Sequence, residues 1–302
     1  MSAPRSPLSR TRAGFVALAG RPNAGKSTLV NAMVGDKVAI VSDKPQTTRR
    51  EIRGVATAPD WQLVLVDLPG VQRPRDVLTE RMQRQVERAL SDADAALFVL
   101  NGEQRTGPGD SYVARAIAKA GVEPVIAVNK VDRLTRAETL QALEAAAALG
   151  LNGEIFPVSA KTGQGVPALA EHLASLMPES PFLYPPEDRS DLPERVRLAE
   201  LVREQVLRRT REEVPHAVEV EVDEISERED GLLVIEARVW TESESQKAIL
   251  IGKRGSMVRA VGTAAREEIE SALGRRVHLD LSVRVRRGWR RDEGLLDRLG
   301  LD

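Results

Sequence analysis

Apolar runs of strand length recur through the first part of the chain, at 14–19, 61–67, 95–100, 124–128 and 155–158. Those at 95–100 and 124–128 are continuously apolar, as in strands buried on both faces of a parallel sheet. Between them lie stretches with helical spacing of apolar positions, at 26–34, 78–90 and 136–149, and a further one reaching 177. Strand alternating with helix predicts an α/β fold, a mostly parallel sheet with helices on both faces. The pattern breaks at PESPFLYPPEDRSD, residues 178–191, whose prolines mark a linker. Beyond it the order changes to a helix at 193–210, strands at 217–222 and 232–240, two helical segments around a Gly-rich turn, and a strand at 277–285. That order predicts a smaller α+β domain. The expected division is a disordered tail at 1–12, an α/β domain at 13–177, a linker at 178–191, an α+β domain at 192–290 and a C-terminal tail at 291–302.

Composition narrows the classes. The 302 residues suit two domains. Hydrophobic residues make up 42% and aromatics only 3%, so aliphatic side chains must fill the cores. The chain has no cysteine, which excludes disulfides and thiolate metal sites. No apolar run reaches the roughly 18 residues of a membrane span, and the Ser/Pro/Arg-rich start lacks the apolar core of a secretory signal. The net charge of −1 conceals an asymmetry: 212–246 holds twelve acidic and two basic residues, 247–291 twelve basic and four acidic. A basic segment fits a polyanion site or an ordinary solvated face. The acidic segment is expected partly on another face, away from phosphate.

Chemistry concentrates at the strand ends. Gly20-Arg21-Pro22-Asn23-Ala24-Gly25-Lys26-Ser27, followed by Thr28, fits the phosphate-binding loop GxxxxGK[ST] and lies between a strand and a helix. Its backbone N–H groups and the helix N-terminus can cradle phosphate. Lys26 would pair with the β- and γ-phosphates, and Ser27 would ligate Mg²⁺. Asp67-Leu68-Pro69-Gly70 ends the strand at 61–67. Asp67 is placed to hold Mg²⁺ through water, and the Gly70 N–H to meet a γ-phosphate. Asn129-Lys130-Val131-Asp132 ends the strand at 124–128. The Asp132 carboxylate can accept from guanine N1–H and its exocyclic amine, a donor pair that adenine lacks; an unpaired carboxylate there costs about 1–3 kcal/mol. That disfavours an ATP enzyme. Ser159-Ala160-Lys161 can offer a backbone N–H to the guanine carbonyl. Between the first two motifs lies Thr47-Thr48, either of which could ligate Mg²⁺ when a γ-phosphate is present. The sequence leaves the choice between the two open; the expected catalytic set is Lys26, Thr48 and Gly70.

In the second domain Gly252-Lys253-Arg254-Gly255 is a GxxG loop between helical segments. Such a loop can clamp about four single-stranded nucleotides. Arg259 would extend the contact, and Arg266, Arg284, Arg286 and Arg287 could continue a basic track. Met257, Val258 and Val261 fit a core better than a contact surface, and Trp289 fits a packing anchor.

GRPNAGKST, KPQTTRR, DLPG, NKVD and SAK, together with Pro215-His216-Ala217 and the GxxG loop, resemble the Era family of GTPases over roughly 14–289. The resemblance implies a Ras-like G domain of the P-loop NTPase class followed by a type II KH domain. It implies GTP/GDP and Mg²⁺ as ligands. It also implies binding to the 3′ end of 16S rRNA and a role in maturing the 30S ribosomal subunit. Location would be cytoplasmic, with peripheral contact at the inner face of the cell membrane; a monomer is expected. Val71 stands where Ras-type GTPases carry a water-orienting glutamine, as in Era-like proteins, and implies slow intrinsic hydrolysis. Asn23 is a candidate K⁺ ligand beside the phosphates. The alternative is an RNA-binding or membrane-associated adaptor that binds nucleotide with little turnover. The related tRNA-modifying and double-G-domain GTPases fit less well, because this chain has one G domain and no C-terminal cysteine.

Overall fold

The computed structural model describes residues 11–71 and 74–301. Of the tail expected at 1–12, all but the last two residues lie outside the described residues, and Arg12 already begins the first strand. The chain divides into two compact units.

The first unit takes in described residues 11–39, 51–71 and 85–191. Its elements are β1 (Arg12–Ala19), α1 (Lys26–Val34), β2 (Ile52–Thr57), β3 (Trp61–Asp67), the later turns of α2 (Val77–Asp92), β4 (Ala95–Asn101), α3 (Pro108–Ala120), β5 (Glu123–Asn129), α4 (Arg136–Ala147), β6 (Ile155–Pro157) and α5 (Val166–Leu176). The six strands lie in the order β2-β3-β1-β4-β5-β6. All neighbours are parallel except β2, which runs antiparallel to β3. The two apolar cores explain why the central strands are apolar throughout. Val16 and Leu18 of β1 pack with Leu29, Leu169 and Leu173, while Ala17 and Ala19 face Val86, Leu90, Val113 and Ile117. Helix α4 opens with a capping box, Thr135 accepting from the Glu138 N–H and Glu138 accepting from the Thr135 N–H.

Strand β2 and helix α3 carry no strong apolar signal and were not expected. The segment 178–191 has the composition of a linker but is bonded along β2 and β3. The Gln62 amide donates to the Tyr184 carbonyl (2.9 Å) and accepts from Leu183 and Tyr184 N–H (2.8 and 2.9 Å). Val55 N–H donates to Arg189 (2.8 Å), and the Ser190 hydroxyl to the Arg53 carbonyl (2.7 Å). The prolines forbid a helix here, and an extended strap satisfies the backbone instead.

The second unit holds 192–301 together with 40–50 and 74–84. Its elements are α6 (Glu194–Arg209), the short α7 (Val214–Ala217), β7 (Glu219–Glu227), β8 (Leu233–Thr241), α8 (Glu244–Ile251), α9 (Ser256–Leu273), β9 (Val277–Val285) and α10 (Glu293–Arg298), plus the first turns of α2. The expected strand at 217–222 begins only at Glu219, since Ala217 closes α7. Strand β8 lies central, antiparallel to β7 and parallel to β9. Leu198, Val202 and Val206 of α6 and Val261, Ala265 and Ile269 of α9 bury themselves against Val220 and Ile235 of the sheet. Within the C-terminal tail expected at 291–302, Glu293–Arg298 form the packed helix α10. Asp292 caps it by accepting from Leu295 N–H (3.0 Å), and Leu295, Leu296, Leu299 and Leu301 close over Trp289, Trp240, Leu78 and Met82. Leucines at helical spacing gain more from that burial than a solvated tail would. Trp289 is fully buried and donates from its indole N–H to Ala217 (2.9 Å).

The segment 40–50 is anchored in this unit by buried charge. Arg49 meets Glu219 at 2.8 Å, and Arg50 meets Glu200 at 3.2 Å and Glu219 at 3.5 Å. Arg203 is completely buried, pairs with Glu200 at 2.6 Å and donates to the Thr47 carbonyl. Val41 N–H donates to Glu204 (3.0 Å). Burial alone would raise the Glu219 carboxyl, but Arg203, Arg49 and Arg50 outweigh it and hold the group below the usual range.

Candidate nucleotide site and nucleic-acid interface

Because β1, β3, β4, β5 and β6 are parallel, their C-terminal ends lie along one edge of the first unit's sheet, where α/β proteins place ligands. The loop 20–27 leaves β1 there. Gly25 caps α1 in the left-handed region (φ 95°), and a Cβ on it would sit 2.2 Å from the Asn129 amide nitrogen, so only glycine fits. Lys26 is buried, with its ammonium 3.3 Å from the Gly20 carbonyl and 3.4 Å from that of Arg21. Burial lowers its pKa, against the upward pull of Asp67. The loop is held from outside as well, by the Arg21 guanidinium on Asp110 of α3 (3.1 Å), which also accepts from Gly107 N–H (2.9 Å). Asp110 was not expected, because α3 itself carried no clear pattern.

The Ser27 hydroxyl donates to Asp67 at 2.6 Å, so the two groups expected to hold Mg²⁺ already touch. A hydroxyl and a carboxylate are the hard oxygen donors that Mg²⁺ takes alongside substrate phosphates. Two protein oxygens leave the remaining positions of such a cation to phosphate and water. After Asp67 come buried Leu68 and Pro69, then Gly70, where a Cβ would meet Pro22 at 2.8 Å. Val71 N–H donates to the Gly20 carbonyl (3.2 Å), and its side chain is buried in the apolar core. That side chain offers no polar group with which to orient water.

Asn129 ties three motifs together. Its amide donates to the Ala24 carbonyl (2.9 Å), and its oxygen accepts from the N–H groups of Ala160 (3.0 Å) and Lys130 (2.8 Å). Lys130 adopts φ 69° and pairs with Glu103 (3.3 Å). Asp132 is exposed, and one carboxylate oxygen accepts from the Ser159 hydroxyl at 2.6 Å. Ser159 is buried while Lys161 is exposed. The structure thus joins the loop 20–28, Asp67–Gly70, 129–132 and 159–161 in one hydrogen-bonded constellation. Thr47 and Thr48 are grouped with the second unit, where the Thr47 hydroxyl donates to Lys44 (2.6 Å).

In the second unit Gly252 (φ 71°) ends α8, and a Cβ there would strike the Met257 Cβ at 2.8 Å. The exposed Lys253 and Arg254 follow, then Gly255 at the start of α9. Beside this loop a groove of about 420 Å³ is lined by Arg259, Gly262, Thr263, Arg266 and His278 over an apolar floor of Val258, Leu279 and Leu281. Val261 is core, and Met257 packs against it. Val258 lines the groove and is not core. Much of the acidic segment is consumed by ion pairs: Glu219 as above, Glu221 with Arg298 (2.9 Å), Asp223 with Arg238 (3.0 Å), Glu227 with Arg275 (2.8 Å) and Glu242 with Arg290 (2.9 Å).

The fold and these motifs define a P-loop GTPase carrying a KH domain. A family model described as 50S ribosome-binding GTPase matches residues 15–130, and one described as KH domain matches 213–290. The chain is 44% identical to GTPase Era of Mycobacterium tuberculosis over 299 residues, covering 97% of this chain and all of that one. It is 42% identical to GTPase Era of Lactobacillus delbrueckii subsp. bulgaricus over 294 residues, 97% of each. A point variant of Aquifex aeolicus Era bound to GDP·AlF₄⁻ matches with a TM-score of 0.93 at 34% identity, over 96% of this chain and 99% of that one. Era in complex with MgGDPNP and nucleotides 1506–1542 of 16S ribosomal RNA matches with the same TM-score, identity and coverage. The chain belongs to the Era family of GTPases. No helix among the described residues is long and apolar enough to cross a membrane.

Proposed function

We propose that the chain is a GTP-driven switch whose KH unit binds the 3′ end of 16S rRNA during maturation of the small ribosomal subunit, in the cytoplasm. In this reading Lys26 and the backbone of 20–28 hold the phosphates. Ser27, Asp67 and Thr48 would hold Mg²⁺, which would supply positive charge against the phosphates. Asp132, Asn129 and the 159–161 turn read guanine. Gly252–Gly255 and Arg259 hold the RNA backbone. The observation that carries the switch is the segment 40–50. It places Thr47-Thr48 directly before Arg49-Arg50, whose guanidinium groups are buried in the RNA-binding unit. One short segment therefore carries both candidate γ-phosphate-dependent ligands and two arginines buried in the RNA-binding unit.

The test is RNA affinity for nucleotides 1506–1542, measured with GDP and with a non-hydrolysable GTP analogue. A nucleotide-dependent difference supports the switch; equal affinities overturn it. Single-turnover hydrolysis with and without that RNA separates a timer from a passive nucleotide binder. With Val71 apolar and buried, intrinsic turnover is expected to be slow, and faster with the RNA present.

Asn23, at φ 62° in the phosphate loop, is the proposed K⁺ ligand. Replacing K⁺ by Na⁺ is expected to slow hydrolysis several-fold in the native chain and to leave Asn23→Ala unaffected. Equal rates in the two salts would remove K⁺ from the scheme.

A further inference from the structure

Gly262 lies inside α9, where neither backbone nor packing asks for glycine. Its φ is not positive, unlike those of Gly252 and Gly255 on the same side of the unit. A Cβ added to it would meet nothing within 4 Å among the described residues. Glycine in a helix interior costs about 1 kcal/mol relative to alanine, so the position carries a cost that nothing within the unit offsets. Gly262 does line the groove beside the GxxG loop. Gly255, Arg259, Gly262 and Arg266 are spaced to share one face of the helix. Across the groove, β9 contributes His278, Leu279 and Leu281. Arg266 is steadied there by Glu270 (3.2 Å), whose other oxygen accepts from Val277 N–H (2.9 Å).

We infer that Gly262 is a positioning residue for single-stranded RNA. Its missing side chain lets a nucleotide lie directly against the α9 backbone between Arg259 and Arg266. The charge of the two arginines suits a polyanion, and the apolar floor suits a base face. Together they make single-stranded nucleic acid the occupant. This inference rests on the RNA-binding reading above and adds the residue that sets how closely the strand approaches.

Substitution here should move stability and binding in opposite directions. Gly262→Ala removes a helix-interior glycine and is expected to raise the melting temperature by about 2–5 °C. The same methyl group stands where the nucleotide would pack and is expected to weaken binding of a labelled 1506–1542 RNA about tenfold. Gly262→Leu should weaken it further while the circular dichroism stays native. The salt dependence of binding should be unchanged in both variants, because no phosphate contact is lost. Arg259→Ala should instead lower the salt slope by about one. Native RNA affinity in Gly262→Ala overturns the inference and leaves the RNA-binding reading standing. A melting temperature that falls together with affinity also overturns it, since that assigns the glycine to the fold. Failure of the native chain to bind this RNA overturns both.

Discussion

Asp132→Asn is expected to lower GTP affinity on the order of 10²–10⁴-fold while leaving the fold intact. Guanine presents two donors to the carboxylate, and each hydrogen bond to a charged group contributes about 1.5–3 kcal/mol. An asparagine retains one acceptor and turns an amine toward the remaining donor. The structure explains why the fold should tolerate this: Asp132 is exposed, and an amide oxygen can still accept the hydrogen bond from the Ser159 hydroxyl. Xanthine carries a carbonyl in place of the exocyclic amine, so the variant should bind xanthosine triphosphate better than GTP. Titration of both nucleotides onto both proteins reads the result. An unchanged preference for GTP would remove Asp132 from base recognition.

The second large effect concerns stability. Glu219→Ala is expected to destabilise the second unit by about 3–5 kcal/mol, because it leaves buried guanidinium groups without their shared carboxylate. Arg49, Arg50 and Arg203 all lie within 3.6 Å of Glu219. The network is already short of acceptors, since Arg49 Nε and Arg203 Nη1 are buried without a hydrogen-bond partner among the described residues. Denaturant unfolding measures the loss, and protease cleavage within 40–50 should rise with it. A change below about 1 kcal/mol would mean that Glu200 alone compensates the arginines. Acid should act similarly. The folded Glu219 carboxyl titrates below its ordinary value of 4.5. Its contribution is therefore complete above that pH and is lost as pH falls through the lower folded-state value. The native chain should lose stability in that window more steeply than Glu219→Gln.

Some of this was legible from residues alone, for local reasons. The loop 20–27, Asp67–Gly70, 129–132 and 159–161 announce themselves because phosphate and base recognition need fixed residue types at strand ends. The order of apolar runs identifies those ends. β2, with an arginine and a glycine among its few residues, and α3, which opens on Pro108-Gly109 and is filled out with small alanines, have too little apolar periodicity to be seen. The strap at 178–191 reads as a linker because its backbone hydrogen bonds to Gln62 and Val55 leave no mark on its own composition. Gly262 carries no sequence signal for a related reason: a glycine within a helical pattern means little until the space around it is known.

The amino-acid sequence by itself determined the two domain types, the parallel sheet, the nucleotide-binding motifs and the GxxG loop, because each depends on neighbours within a few residues or on a strand's own periodicity. Tertiary structure alone decided which residues Asn129 joins, that LLDRLGL caps a core with Trp289, and that KPQTTRR, hydrophilic by composition, buries both its arginines. The decisive partners lie far off in the chain, 105 residues apart for Asn129 and Ala24 and 170 for Arg49 and Glu219. A charged side chain enters a core only when distant charges arrive to meet it, and no local pattern encodes that arrival.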